Sequence, residues 1–235
     1  MMVTPTVVFD LDGTLVDSAP DLVATLNIIF ARTGLPPVAY DAARNMVGGG
    51  ARAMIVRGLK AEGRTLDVVE VDRLVSDFID HYAAHIADRS RPFPGLESAL
   101  DALAARGCRL AVCTNKLEWL AVRLLDALAL SKRFAAICGG DTFGLQKPDP
   151  ELLRRTIARA GGDAASAVMV GIPSPTSPSR MRPGFRSWRW TTAIAKRRSP
   201  NWVPIGSSAR FPRSQTLFST CCAPAGRRKR HSNNR

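Results

Sequence analysis

Apolar residues along the first 171 positions follow two patterns, one typical of strands and one typical of helices. Short continuous apolar runs indicate buried strands, whereas apolar residues spaced three or four positions apart indicate helices. Four short runs occur, at 7–9, 109–113, 134–138 and 167–171. Helical patterns stand before or between the later runs, at 96–106, 118–128 and 151–160. This alternation predicts right-handed βαβ units, and hence an α/β fold with a doubly wound parallel sheet.

The stretch between positions 17 and 91 carries only the helical pattern. Its apolar residues predict helices over 22–33, 40–46 and 66–87, with a further helix after the glycine run at 48–50. We find no convincing strand pattern in this stretch. The sequence therefore predicts an α/β core from residues 1–16 and 92–171, interrupted by an all-helical insertion at 17–91.

Composition excludes several classes of protein. No apolar run approaches the roughly 18 residues that a membrane-spanning helix needs, and residues 1–5 do not begin a secretory signal. We therefore expect a cytoplasmic protein with no membrane partner. The five cysteines lack the spacing of a zinc site, and those within apolar stretches are expected to be buried free thiols.

Charge divides the chain at Gly171. Residues 1–171 hold all 20 Asp and Glu together with 19 Lys and Arg, so this part carries one net negative charge. The remaining 64 residues hold 14 Lys and Arg and no acidic residue. They also include 8 Pro and 10 Ser without a sustained period, a composition that predicts a disordered tail.

The basic tail also supports a second hypothesis, in which it binds nucleic acid. Arginines and a lysine cluster at 227–230, and Trp188, Trp190 and Trp202 stand among other arginines. Such residues bind phosphates and stack on bases. We prefer the first interpretation, since the basic residues are scattered and no known nucleic-acid-binding fold is recognisable.

Polar residues follow several of the predicted elements in positions suited to phosphate chemistry. Asp10 and Asp12 end the first strand two residues apart, so their side chains lie on the same side. Thr114 ends the second strand, and Lys147 precedes the helix at 151–160. The carboxyl ends of parallel strands share one edge, where these side chains should meet. Phosphoryl transfer needs such a set of nucleophile, proton donor, hydroxyl and cation.

The segment Asp10-Leu11-Asp12-Gly13-Thr14 resembles the first motif of the haloacid dehalogenase superfamily. Further stretches are similar to its bacterial phosphoglycolate phosphatases, namely 16–22, 47–51, 91–95, 113–116 and 139–150. The resemblance implies a Mg²⁺-dependent hydrolase of the small phosphorylated metabolite 2-phosphoglycolate, with the helical insertion closing over the substrate as a cap. A phosphosugar phosphatase or mutase of the same superfamily is the alternative, because cap residues set the choice of substrate.

The resemblance also implies roles for individual residues. Asp10 is the nucleophile that forms an aspartyl-phosphate, Asp12 is the general acid and base, and both bind Mg²⁺. The residues that contact phosphate are Thr114, Asn115 and Lys147, of which Lys147 also takes part in catalysis. The cap residues near the substrate are Gly49, Gly50 and Arg52.

The chain departs from the family pattern directly after Gly171. Ile172 and Thr176 stand where the family has two Mg²⁺-binding acids, so the third metal ligand expected at Ile172 is absent. An aliphatic side chain offers no oxygen to a hard cation, and we expect weak Mg²⁺ binding and impaired activity.

A shifted reading frame is our hypothesis for this departure. One base restored within the Gly171 codon allows the sequence Gly-Asp-Ser that the family has at this point. Further along that frame, the single codon of Trp190, followed by the codon of Thr191, forces an aspartate. DNA sequencing would test the hypothesis.

Overall fold

The structure is a computed structural model that describes residues 4–171. The strands are β1 Thr6–Phe9, β2 Val16–Asp17, β3 Arg91–Pro92, β4 Arg109–Cys113, β5 Ala136–Cys138 and β6 Ala167–Val170. Four of them form a parallel sheet in the order β5-β4-β1-β6. Phe9 at the end of β1 is level with Val112 of β4 and Val170 of β6. The predicted parallel sheet is confirmed, and β1 lies inside it between two neighbours.

Seven α-helices accompany the strands within residues 4–171. They are α1 Ala19–Arg32, α2 Tyr40–Arg44, α3 Ala51–Ala61, α4 Val68–Ala84, α5 Leu96–Ala105, α6 Glu118–Ala127 and α7 Pro150–Arg159. Helices α1 to α4 fill the interval between β2 and β3, where a purely helical segment was predicted. None of these helices is both long and apolar enough to cross a lipid bilayer.

Several element boundaries differ from the predicted ones by a few residues, and two of these differences have a clear local cause. Helix α1 begins three residues early because Pro20 lies in its first turn, where a backbone N–H is not needed. The strand predicted at 134–138 shortens to β5. Residues Ser131–Arg133 form a 3₁₀ turn, and the N–H of Phe134 donates to the carbonyl of Ser131 instead of joining the sheet.

The two ends of the helical segment lie side by side in a separate two-stranded sheet. Strands β2 and β3 pair antiparallel, with Val16 opposite Pro92. Close by, the buried carboxylate of Asp21 accepts hydrogen bonds from the N–H groups of Arg89 and Ser90 and from the Ser90 hydroxyl, at 2.7–3.0 Å. Two-residue strands leave no detectable period, so the sequence pattern did not predict this pairing.

The core has a layer on each face of the sheet. Alternation along β1 sends Val7 and Phe9 to one face and Val8 to the other. Val7 and Phe9 belong to the larger cluster, which also takes residues from α1, α3, α4, α5 and α6. Val8 packs with Leu152 and Ile157 of α7. Burial on both faces fixes β1, so the residues that follow it are rigidly placed.

The tail at 172–235 lies outside the described residues. The predictions of disorder, of nucleic-acid binding and of a shifted reading frame all fall there, and they stay predictions. The same is true of Ile172 and Thr176.

Candidate active site

The chain turns sharply after β1 and places two buried carboxylates at the carboxyl end of the sheet. The Asp10 N–H donates to the Val170 carbonyl at 2.8 Å, which continues the ladder between β1 and β6 by one residue. Its carboxylate oxygen Oδ1 accepts from the N–H of Leu11 at 2.7 Å. The turn then needs Gly13, whose φ of 76° is in the left-handed region that favours glycine.

Asp10 forms an ion pair with Lys147. The Lys147 Nζ lies 2.7 Å from Asp10 Oδ1, and both side chains are about nine-tenths buried. The amide of Asn115 holds the backbone of Lys147, with Oδ1 accepting from the Lys147 N–H at 2.7 Å and Nδ2 donating to its carbonyl at 3.3 Å. A lysine from a distant loop is thereby fixed over the end of β1.

Thr114 lies at the end of β4, the strand next to β1. Its N–H donates to the Cys138 carbonyl at 3.0 Å, and its hydroxyl oxygen accepts from the N–H of Lys116 at 3.2 Å. The side chain is buried. Strand register therefore brings Thr114 to the same edge as Asp10 and Lys147, as the parallel sheet predicted.

Asp12 forms a second ion pair with Lys116, a residue to which the sequence analysis gave no role. The Lys116 Nζ lies 3.3 Å from Asp12 Oδ1 and donates to the Tyr82 hydroxyl of α4 at 3.1 Å. The Ser18 hydroxyl donates to the same Asp12 oxygen at 2.6 Å. A lysine directly after Thr114 and Asn115 at a strand end was the only sequence signal for this residue.

Burial and charge act in opposite directions on Lys116. Burial by itself would lower its pKa, but the Asp12 carboxylate together with Tyr82 raises it above its ordinary value. The ammonium is therefore charged at neutral pH. Burial also raises the pKa of Tyr82, so that side chain is a neutral phenol that accepts the hydrogen bond from Lys116.

The glycine run at 48–50 reaches the site through Asn115. Asn115 Nδ2 donates to the Gly48 carbonyl at 3.2 Å. Gly50 has a φ of 84°, and a Cβ there would lie 3.2 Å from the Asn115 carbonyl oxygen. Gly49 is between these two contacts. Arg52 instead forms an ion pair with Asp72 of α4, and both side chains are more than half exposed.

Between positions 4 and 171, the residues at this edge do not make a complete Mg²⁺ site. Mg²⁺ takes six oxygen ligands in near-ideal octahedral geometry and is usually held by carboxylates and waters. Asp10 and Asp12 supply carboxylates, but each is already paired with a lysine. No group of three acidic, histidine or cysteine side chains that could hold a metal occurs within residues 4–171.

Comparison with known proteins assigns this arrangement to a family. The family model of the haloacid dehalogenase-like hydrolases matches residues 7–171. A phosphoglycolate phosphatase from Caulobacter vibrioides is 52% identical over 166 residues, which are 71% of this chain and 70% of the relative. An N-acetylmuramic acid 6-phosphate phosphatase from Pseudomonas aeruginosa is 38% identical over 165 residues, 70% of this chain and 72% of the relative.

A solved structure gives the same result. The crystal structure of a predicted phosphoglycolate phosphatase from Haemophilus somnus superimposes with a TM-score of 0.66 at 28% identity, covering 73% of this chain and 78% of that one. The resemblance drawn from the sequence motifs is thereby confirmed, and so is the α/β fold. The chain belongs to the haloacid dehalogenase-like hydrolase family, and among its relatives are phosphoglycolate phosphatases.

Proposed function

We propose that this protein hydrolyses small phosphate monoesters through an aspartyl-phosphate on Asp10. The observation that carries the proposal is the Asp10 carboxylate 2.7 Å from the Lys147 ammonium at the carboxyl end of β1. The hydroxyl of Thr114 lies at the end of the adjacent strand. A phosphoryl group bound there would meet a nucleophile, a cation and a hydroxyl donor together.

The reaction then proceeds in two displacements. A carboxylate oxygen of Asp10 attacks phosphorus, the bond between phosphorus and the leaving oxygen breaks, and Asp12 gives its proton to that oxygen. A water molecule next attacks the phosphorylated Asp10, and Asp12 takes the proton from this water. The bond between Asp10 and phosphorus breaks, which releases inorganic phosphate, returns Asp10 to its carboxylate and leaves Asp12 protonated for the next cycle.

Lys147 serves both displacements by electrostatics. Before substrate binds, its charge balances that of Asp10. When the phosphoryl group arrives, the same ammonium lies within reach of the phosphoryl oxygens and offsets the charge that develops on them. Thr114 and Asn115 complete this phosphate-binding side, Thr114 by its hydroxyl and Asn115 by holding the Lys147 backbone.

The preferred substrate is 2-phosphoglycolate, because the relatives with about half of their aligned residues identical are named for that activity. A phosphosugar is the alternative, and the Pseudomonas relative named for N-acetylmuramic acid 6-phosphate supports it. In either case residues 17–91 would form the cap domain over the core of 1–16 and 92–171. Gly49, Gly50 and Arg52 would face the substrate when that cap closes.

The Mg²⁺ ion that the resemblance implies would be held weakly by this chain. Two lysine-paired carboxylates are available, and the third acid expected at position 172 is an isoleucine. Bound Mg²⁺ supplies charge stabilisation at the transferring phosphoryl group. We infer an enzyme impaired in its metal site, located in the cytoplasm.

The proposal is tested by phosphate release from 2-phosphoglycolate with the purified 235-residue chain. Replacing Asp10→Asn removes the nucleophile and should lower turnover by about 10⁴-fold or more, to background. Asp77→Asn, which changes an exposed aspartate of α4, should leave turnover unchanged. Mass spectrometry after acid quenching should find the phosphoryl group on the peptide that contains Asp10. Equal turnover by the Asp10→Asn variant would refute the assignment.

A further inference from the structure

Lys116 is a buried cation in the position where the helical segment meets the sheet edge. Its side chain is 5% exposed, although lysine is rarely buried unless it is paired. It leaves β4 at the rim of the sheet, yet its ammonium contacts both Asp12 of the β1 turn and Tyr82 of α4. The ammonium also lies 4.3 Å from the centre of the Tyr82 ring, a cation–π distance.

The contacts of Asp12 fall on one of its two carboxylate oxygens. Oδ1 accepts from the Ser18 hydroxyl at 2.6 Å and lies 3.3 Å from Lys116 Nζ. Ser18 is fully buried, so neither partner can be replaced easily by water. Within residues 4–171, Oδ2 takes part in no such contact. The two donors therefore fix the plane of the carboxylate and distinguish its two oxygens.

A general acid must place its proton within hydrogen-bond reach of the leaving oxygen, and geometry is the first requirement. A carboxylate that rotates presents either oxygen and spends time in unproductive orientations. One whose Oδ1 is held by two donors carries its proton on Oδ2, because Oδ1 already accepts from Ser18 and Lys116.

We propose that Lys116 is a positioning residue for Asp12. Together with Ser18 it holds Oδ1, so that proton transfer to and from the leaving oxygen and water passes through Oδ2, and Tyr82 of α4 holds Lys116 in turn. This inference rests on the proposed phosphatase function. It adds a contact by which the helical segment acts on the proton-transfer step, separate from the phosphate-binding side at Asp10 and Lys147.

Substrates with different leaving groups test the proposal. The leaving oxygen of 2-phosphoglycolate is an alkoxide that needs a proton, whereas 4-nitrophenyl phosphate releases a stable phenolate that needs none. Lys116→Met in the 235-residue chain should therefore lower kcat for 2-phosphoglycolate by about 100-fold, the scale of general acid catalysis. For 4-nitrophenyl phosphate kcat should fall by less than about 5-fold, and KM should hold for both substrates.

Two further variants make the result decisive. Tyr82→Phe removes only the hydroxyl that contacts Lys116 and should show the same selectivity with a smaller loss, about 3- to 10-fold. It also decides the test if Lys116→Met does not fold. Lys132→Met, at an exposed lysine, should change neither substrate.

Equal losses on the two substrates would mean that Lys116 only neutralises a buried charge, and the proposal would be wrong. Unchanged kcat in both site variants would overturn it as well. If the unmodified chain hydrolyses neither substrate, the phosphatase proposal itself fails and this inference with it. Selective loss for 2-phosphoglycolate in a chain that hydrolyses both supports it.

Discussion

The two acid–lysine pairs of the site are alike in chemistry but differ in how they are built. Asp10 and Lys147 lie 2.7 Å apart, and both come from segments at the carboxyl edge of the sheet. Asp12 and Lys116 lie 3.3 Å apart, and their remaining partners, Ser18 and Tyr82, belong to the helical segment or its entry. Both residues of the first pair thus lie on the sheet side, whereas the second pair has direct side-chain contacts with the helical segment and its entry.

Because of this difference, one edge of the sheet holds two acid–lysine pairs with different degrees of support. The sheet is the more rigid support, because β1 is buried on both faces and its neighbours fix its register. The roles proposed for Asp10 and Lys147, nucleophile and phosphate-binding cation, need that rigidity. Asp12, the proposed proton-transfer residue, is instead linked through Lys116 to Tyr82 of the helical segment. If that segment closes over the substrate as proposed, this contact can respond to the substrate.

Removing the cation on the sheet side should separate the two pairs most clearly. Lys147→Met should lower kcat/KM for 2-phosphoglycolate and for 4-nitrophenyl phosphate alike, by about 10³-fold, because both transition states carry the same phosphoryl charge. Steady-state kinetics with the two substrates measure it. A loss confined to 2-phosphoglycolate would remove the distinction drawn between the two lysines.

The second prediction asks whether two lysine-paired carboxylates suffice without the acids expected at Ile172 and Thr176. At saturating Mg²⁺, we expect turnover of 2-phosphoglycolate at least about 100-fold below that of the Caulobacter relative, the scale of losing a main electrostatic contribution. Parallel assays of the two purified proteins over a Mg²⁺ titration measure it. Equal rates would show that this chain has a complete metal site.

The third prediction concerns the hydrogen bonds of Asp21 with Arg89 and Ser90, which join the two ends of the helical segment. Asp21→Ala leaves two N–H groups and the Ser90 hydroxyl without their acceptor in a buried place. We expect the free energy of unfolding to fall by about 3 kcal/mol, which lowers Tm by about 6–12 °C. Asp77→Ala, at an exposed position of α4, is the matched control.

The same Asp21→Ala variant should affect the turnover of the two substrates to different degrees. Any kinetic loss should concern 2-phosphoglycolate more than 4-nitrophenyl phosphate, since Asp12 contacts Ser18 and Lys116 contacts Tyr82 directly. A change in thermal stability no larger than that of Asp77→Ala would contradict the role given to Asp21.

The last prediction is an absence of reaction at Cys113, the buried residue that ends β4 close to Asp10 and Lys147. Burial raises its pKa to about 11, although the nearby Lys147 acts in the opposite direction. Below that pKa the group is a thiol, so iodoacetamide at pH 8 should leave Cys113 unmodified in the native chain and label it in denaturant. Tryptic peptides analysed by mass spectrometry measure this, and native labelling would show that the sheet side opens to solvent.

Most of the sheet and one side of the site could be predicted from the sequence. The four apolar runs gave the strands, and parallel strands necessarily bring residues after Phe9 and Cys113 to one edge. Lys147 was expected at the same edge because it precedes a helix of the α/β alternation, although it lies 137 positions from Asp10. Its contact with that carboxylate depends on the loop that Asn115 holds.

The contacts around Asp12 depend on packing between segments that are distant in sequence. The spacing of apolar residues within one element carries no information about such packing. Lys116 and Tyr82 are 34 positions apart and meet only because α4 packs near the rim of the sheet. Arg52 was given a role by the resemblance, but the structure does not place it at the site. It was predicted to face the substrate, whereas in the structure its guanidinium forms an ion pair with Asp72. Whether it turns toward a bound substrate stays a prediction.

The side-by-side entry and exit of the helical segment has an evolutionary consequence. Because Val16 lies opposite Pro92, the whole insertion is equivalent to a loop whose two ends are already paired. Lengthening such a loop adds little entropy cost, about 0.6 kcal/mol for each doubling. Insertions of other sizes and sequences could therefore be exchanged at this junction while the strands keep their register. Selection can then change the insertion while the residues at the sheet edge stay in place.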